Sequence, residues 1–154
     1  MPIKRSEHLI QLSREHHSGL LFCWKIRQGL KKNADTERIK NYVAYFWQQD
    51  LAEHFREEED ILFAPKKNDD KVKRALQEHV EIKTLIDSIT KSNSPEPGSL
   101  ASLADAVDNH IRYEERELFP YLENAFTQDQ LAKIAEQINE ASPTGDGYAD
   151  EFWK

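Results

Sequence analysis

Apolar residues recur every third or fourth position along almost the whole chain and rarely alternate one by one. That spacing matches the turn of an α-helix, so one face of each segment becomes apolar and no half-buried strand is expected. A first stripe runs through Leu9, Leu12, His16, Gly19, Cys23, Ile26 and Leu30, on a helix of roughly Ser6 to Lys32. Asn33-Ala34-Asp35 reads as a turn in which Asp35 caps the next helix. The second stripe passes Ile39, Val43, Trp47, Leu51, His54, Glu58 and Leu62, and Pro65 closes it. Asn68 and Asp69 are candidate caps for a third helix bearing Val72, Ala75, His79, Ile82, Ile86 and Ile89. SNSPEPGS, residues 92 to 99, reads as a loop. A fourth helix carries Leu100, Leu103, Val107, His110, Glu114 and Leu118, and Pro120 is expected to kink or end it. Thr127 and Gln130 form a capping-box pattern ahead of a short fifth helix with Leu131, Ile134 and Ile138.

The expected fold is therefore all-α: an up-down-up-down four-helix bundle with a short extra C-terminal helix and a tail. Residues 1–142 make one domain, and 143–154 a mobile or loosely docked tail. The chain's 154 residues suffice for one sizeable core, and only five glycines argue against a turn-rich β-fold. A net charge of −7 without a basic stripe predicts no nucleic-acid partner. The apolar runs are too short for a signal peptide or a membrane span. A single cysteine, Cys23, fits a reducing cytoplasm and reads as a small buried hydrophobe.

Within each long stripe one position is wrong for an apolar core: His16, His54, His79 and His110. Glu58 and Glu114 follow two of these one turn later, on the same face. A carboxylate facing a core is costly unless a positive charge compensates it, and the stripes offer no lysine or arginine there. A bound cation solves the problem, and imidazole with carboxylate suits a first-row metal. One HxxxE step means little, but here it is repeated. HFREEEDILF (54–63) lies over HIRYEERELF (110–119), matching His, Arg, Glu, Glu, Leu and Phe in place. Glu15-His16 likewise matches Glu78-His79. Two similar helix pairs facing each other would bring six ligands to the axis. Six exceed what zinc needs, and calcium or magnesium prefers all-oxygen shells. Two iron ions bridged by the carboxylates would use all six. The Glu-x-x-His steps of ferritin-like bundles are absent, because Ser13, Leu51, Leu76 and Val107 precede the four histidines by three.

Through REHH, HFREEEDILF, QEHV and HIRYEERELFP, between about Ser6 and Phe126, the chain resembles the hemerythrin-like, or HHE cation-binding, family. The resemblance implies a bundle holding a non-haem di-iron centre with an oxo or hydroxo bridge. His16, His54, His79 and His110 would be terminal ligands, and Glu58 and Glu114 bridging ones. It implies binding of O2 or a related small molecule, sensing, or iron handling; the alternative is an enzyme acting on peroxide, nitric oxide or ferrous iron. Oxygen-carrying hemerythrins have a further histidine one turn from the third-helix ligand, where this chain has Ala75 and Lys83 around His79. They also end the last motif in aspartate, where this chain has Glu114. Water or another acid such as Glu81 is a candidate for the gap. His17 rivals His16, but the stripe and the Glu-His match favour His16. Glu57, Glu59, Asp60, Glu115 and Glu117 read as a solvated face from which outer hydrogen-bond partners could come. Tyr45, Trp47 and Tyr113 are core or pocket-lining candidates.

Overall fold

The computed structural model describes residues 7–138 and 148–154, and all regular structure among them is helical. Helix α1 spans Ile10–Lys31; the Ser6 start expected for it lies outside the described residues. Asn33, at φ 58, closes this helix while Ala34 N–H donates to the Gly29 carbonyl. The second rod is continuous through α2 (Thr36–Phe46), a π-helical segment (Trp47–Leu51), α3 (Ala52–Glu57) and a second π-segment (Glu58–Leu62). Asp35 caps it, accepting the Glu37 N–H at 3.0 Å. The third rod is α4 (Asp70–Lys91), capped by Asp69 through the Lys71 N–H. The fourth is α5 (Pro97–Tyr113), a π-segment (Glu114–Leu118) and α6 (Phe119–Ala125). Helix α7 (Gln128–Ile138) follows, opened by the reciprocal Thr127–Gln130 capping box.

Two proline expectations need correction. The loop before the fourth rod is shorter than residues 92–99, because Pro97 occupies the first helical turn. A fixed φ and a missing N–H suit that position. Pro120 does not end the fourth rod, which continues to Ala125. The preceding π-segment has already broken the α-helical bonding register, so Pro120 falls in the first turn of α6 and its absent N–H costs little.

The rods form a ring in which α1 packs on α2 and α5, and α4 on α2 and α5, with a smaller contact between α2 and α5. Inside this ring the apolar residues form two separate clusters. One, around Phe22, Ile26, Phe46, Phe55, Ile82 and Leu103, fills one end. The other, around Leu12, Leu62, Phe63, Phe119, Leu122 and Ile134, fills the opposite end. The histidine layer lies between them.

The last seven residues pack back on the bundle, while 143–147 lie outside the described residues. Phe152 is 2% exposed and belongs to the first apolar cluster. Asp150 pairs with Arg38, and Lys25 sits 4.2 Å from the Trp153 ring. Phe152 docks here because Gly29 leaves room: a Cβ on residue 29 would meet Phe152 Cδ1 at 2.7 Å. Phe152→Ala is therefore expected to lower unfolding free energy by about 3 kcal/mol, read by urea denaturation. Gly29→Ala should reproduce part of that loss in the native chain and add little to the Phe152→Ala variant.

Candidate metal centre

All six stripe residues singled out by the sequence are buried and converge on the axis. His16, His54, His79 and His110 are each at most 5% exposed, and Glu58 and Glu114 are fully buried. His17 points outward and is exposed. The six divide into two groups of four potential ligands, His16–His54–Glu58–Glu114 and Glu58–His79–His110–Glu114. In each group the donor atoms lie within 4.8 Å of one another. Both carboxylates belong to both groups.

The oxygens are divided between the two halves. Glu58 turns Oε2 toward His54 Nε2 (3.3 Å) and His16 Nε2 (3.5 Å), and Oε1 toward His79 Nε2 (3.0 Å). Glu114 turns Oε1 toward His16 Nε2 (2.7 Å) and Oε2 toward His110 Nε2 (3.2 Å) and His79 Nε2 (3.8 Å). Despite these short approaches, Nε2 of His54, His79 and His110, both Glu58 oxygens and Glu114 Oε2 find no aligned hydrogen-bond partner. Buried polar atoms are rarely left so. Six such atoms aimed at two points are donor sets that cations would satisfy.

The opposite edge of every imidazole is fixed. His16 Nδ1 meets Glu115 (2.6 Å), His54 Nδ1 meets Glu15 (2.6 Å), His79 Nδ1 meets Glu59 (2.7 Å) and His110 Nδ1 meets Glu78 (2.7 Å). An ionised carboxylate only accepts, so each Nδ1 carries a proton and Nε2 is the nitrogen that faces inward. This is the outer support by which proteins orient histidine ligands and raise their basicity. The pattern obeys the internal repeat: Glu15 and Glu78 brace the histidine of the next rod, and Glu59 and Glu115 brace His79 and His16.

Without a cation the layer balances its own charge. Burial pushes the imidazoles down, but the facing carboxylates outweigh it, raising His54 to about 9 and His79 to about 11. Burial pushes Glu114 up, as does Glu58, yet His110 and His16 hold it down at about 2. Glu58 is held well below the carboxylate range against its own burial, by His54, His16 and His79. Metal ions would replace those protons on Nε2.

The π-segments account for the Leu-Phe pair ending each motif. Phe63 N–H donates to the Glu58 carbonyl at 2.7 Å, and Phe119 N–H to that of Glu114, five residues back in each case. The wider turn carries both Leu62 and Phe63, and both Leu118 and Phe119, to the buried side, where an α-turn would carry one of each. Phe119 then stacks on His16 (5.2 Å) and Phe63 tilts against His79 (5.9 Å). Phe55 stacks on the other face of the layer, 3.8 Å from His79.

Some placements differ from the sequence expectation. Glu57, assigned to the solvated face, is 2% exposed, and burial with Glu15 nearby raises its carboxyl to about 8. Glu81 is exposed and fills no gap beside His79, where Ala75 is fully buried and Lys83 turns out to Glu59. The signal for Glu57 was its position, three residues after His54 and beside Glu58 on the inner half of the helix. Tyr113 is buried and donates its hydroxyl to the Lys71 carbonyl, and Trp47 packs edge-on against Phe55.

The family pattern described as the hemerythrin HHE cation-binding domain matches residues 8–122, a span containing all six converging residues. The chain belongs to this family. It is also 25% identical over 118 residues to a DNA nickase of Nostoc sp. (strain PCC 7120 / SAG 25.82 / UTEX 2576). That match covers 73% of this chain and 33% of the nickase, so the chain spans about a third of that relative's length. No solved structure matches it. The family and the buried His/Glu layer make this a metal-binding domain. Among the described residues no helix is long and apolar enough to cross a membrane.

Proposed function

We propose that the domain holds two iron ions, one in each quartet, bridged by Glu58 and Glu114, and that it binds O2 or a related small molecule, or senses or handles iron. The observation carrying this reading is that the two quartets share both carboxylates and neither histidine pair. Each ion would receive two imidazole nitrogens and two carboxylate oxygens. Neutral imidazole with carboxylate suits ferrous and ferric iron, whereas an all-oxygen shell would suit magnesium or calcium. When bound, an iron pair supplies two electrons to a small oxidant and can take them back.

The chain's own groups would do the rest. Glu15, Glu59, Glu78 and Glu115 hold the imidazole planes. Phe55, Phe63 and Phe119 keep water from the layer, and the two apolar clusters close both ends of the bundle. His16 lies closest to a bridging carboxylate, so its Nε2 is placed to hold a proton in that layer while the site is unloaded.

A second reading is favoured by the equal donor sets. Among the described residues Ala75 and Lys83 stand one turn from His79 and neither donates to the layer, so an ion in either quartet would keep open positions. An enzyme turning over peroxide, nitric oxide or ferrous iron would use such open positions. Oxygen cycling of iron-loaded protein followed by absorbance separates the two. A binder returns to its starting spectrum on deoxygenation and consumes no net oxygen; continuous consumption of peroxide, nitric oxide or ferrous iron establishes the enzyme and overturns the first reading.

A further inference from the structure

The internal repeat relates the two halves of the site almost residue for residue, and it breaks at one corner. Laying Glu15-His16 on Glu78-His79 puts Gln11 on Arg74, and laying His54–Glu58 on His110–Glu114 puts Glu57 on Tyr113. In the second half Arg74 Nε donates to Glu78 Oε2 at 3.0 Å, and its guanidinium lies 3.9 Å from the Tyr113 ring. Glu78, which braces His110, thus has a cation at its back. In the first half neutral Gln11 donates to Glu15 Oε2 at 3.2 Å, and a second carboxylate stands where the ring would be. A positive charge is missing, and a second carboxyl group stands at the equivalent place.

Among the described residues no guanidinium stands against Glu15 as Arg74 does against Glu78, and Glu57 and Glu15 face each other as two carboxyl groups. Glu57 is 2% exposed and its Oε1 has no hydrogen-bond partner. The groups that act most on it are Glu15, His54 and Glu53, and His54 already donates its Nδ1 proton to Glu15. Donor atoms of Glu15, His54 and Glu57 lie within 4.8 Å of one another. The Glu15 side chain is 14% exposed, so this corner reaches solvent without opening the core.

We propose that Glu15 and Glu57 form a third cation site, outside the two quartets, which takes a divalent metal ion and completes its shell with water. Two carboxylates at a solvent edge make a hard, oxygen-only donor set, weaker and less selective than the imidazole-rich layer inside. The ion stands electrostatically where the Arg74 guanidinium stands in the other half. It lies directly behind His54, whose opposite edge faces the buried layer. The assignment does not depend on the inner ions being iron.

The test uses Mn2+ as the probe, added to desalted, iron-loaded full-length protein, with free Mn2+ read by electron paramagnetic resonance. Wild type is expected to take up one Mn2+ per chain beyond its retained iron. Glu57→Gln should weaken that uptake at least about tenfold and leave the retained iron unchanged. Gln11→Arg, which restores the guanidinium of the other half without touching Glu57, should do the same. No uptake by wild type, or equal uptake by wild type and both variants, overturns the proposal; so does loss of retained iron together with Mn2+ in Glu57→Gln, because Glu57 would then belong to the inner centre. His79→Ala keeps this separate from the inner reading: Glu57-dependent Mn2+ uptake should survive in it whether or not inner metal is held.

Discussion

Glu58→Gln and Glu114→Gln should each strip the domain of both inner ions, although only one residue is changed. Each carboxylate turns one oxygen toward each quartet, so one substitution would remove a charged donor from both of the proposed coordination shells. Removing an outer partner of a metal ligand typically costs about 10–100-fold in affinity, and removing a shared inner donor should exceed the upper end of that range. Glutamine keeps the volume, so the fold should survive, which circular dichroism checks. The contrast lies with Glu115→Gln, which unbraces His16 alone and should weaken one ion while sparing the other. Equal iron retention in wild type and Glu58→Gln, both folded, would remove the bridging assignment.

Chelation should produce the second large effect. An ion bound to the native chain and not to the unfolded one, at a thousandfold excess over its dissociation constant, adds about 4 kcal/mol of stability. For a chain of this size that is a melting-temperature difference on the order of 10 °C between loaded and stripped protein. The gap should also depend on pH. In the stripped protein the facing carboxylates hold His54 at about 9 and His79 at about 11, above the ordinary imidazole value. Groups raised on folding stabilise fully below their unfolded pKa and lose that contribution as pH passes the folded one. Stripped protein should therefore lose stability progressively between about pH 6.5 and 11, while loaded protein, whose Nε2 atoms would carry no protons, should not share that loss. Parallel melting curves across the window check this; a gap that stays constant or narrows contradicts it.

Most of the site was legible because its signals are local and repeated. A histidine or carboxylate on a helical apolar stripe is conspicuous, and HFREEEDILF lying over HIRYEERELF converts one conspicuous step into a symmetric pair. The same logic separated His16 from His17, since one residue along a helix turns the side chain to another face. What the pattern did not reveal depends on geometry with no sequence period. The π-segments after Glu58 and Glu114 bury Leu62 with Phe63 and Leu118 with Phe119, and they let the fourth rod run past Pro120. The burial of Glu57 depends on how α1 and α3 meet, so the residue counted with Glu59 and Asp60 as solvated. Phe152 lies against Gly29, far away in sequence, where a Cβ would meet its ring at 2.7 Å.

The claim at the centre of this account is that two quartets sharing two carboxylates hold two metal ions. Native mass spectrometry of protein expressed with iron, purified without chelator and desalted, tests it most directly. The spectrum should show the chain carrying two retained iron ions. Folded protein carrying none, or only one, would contradict it.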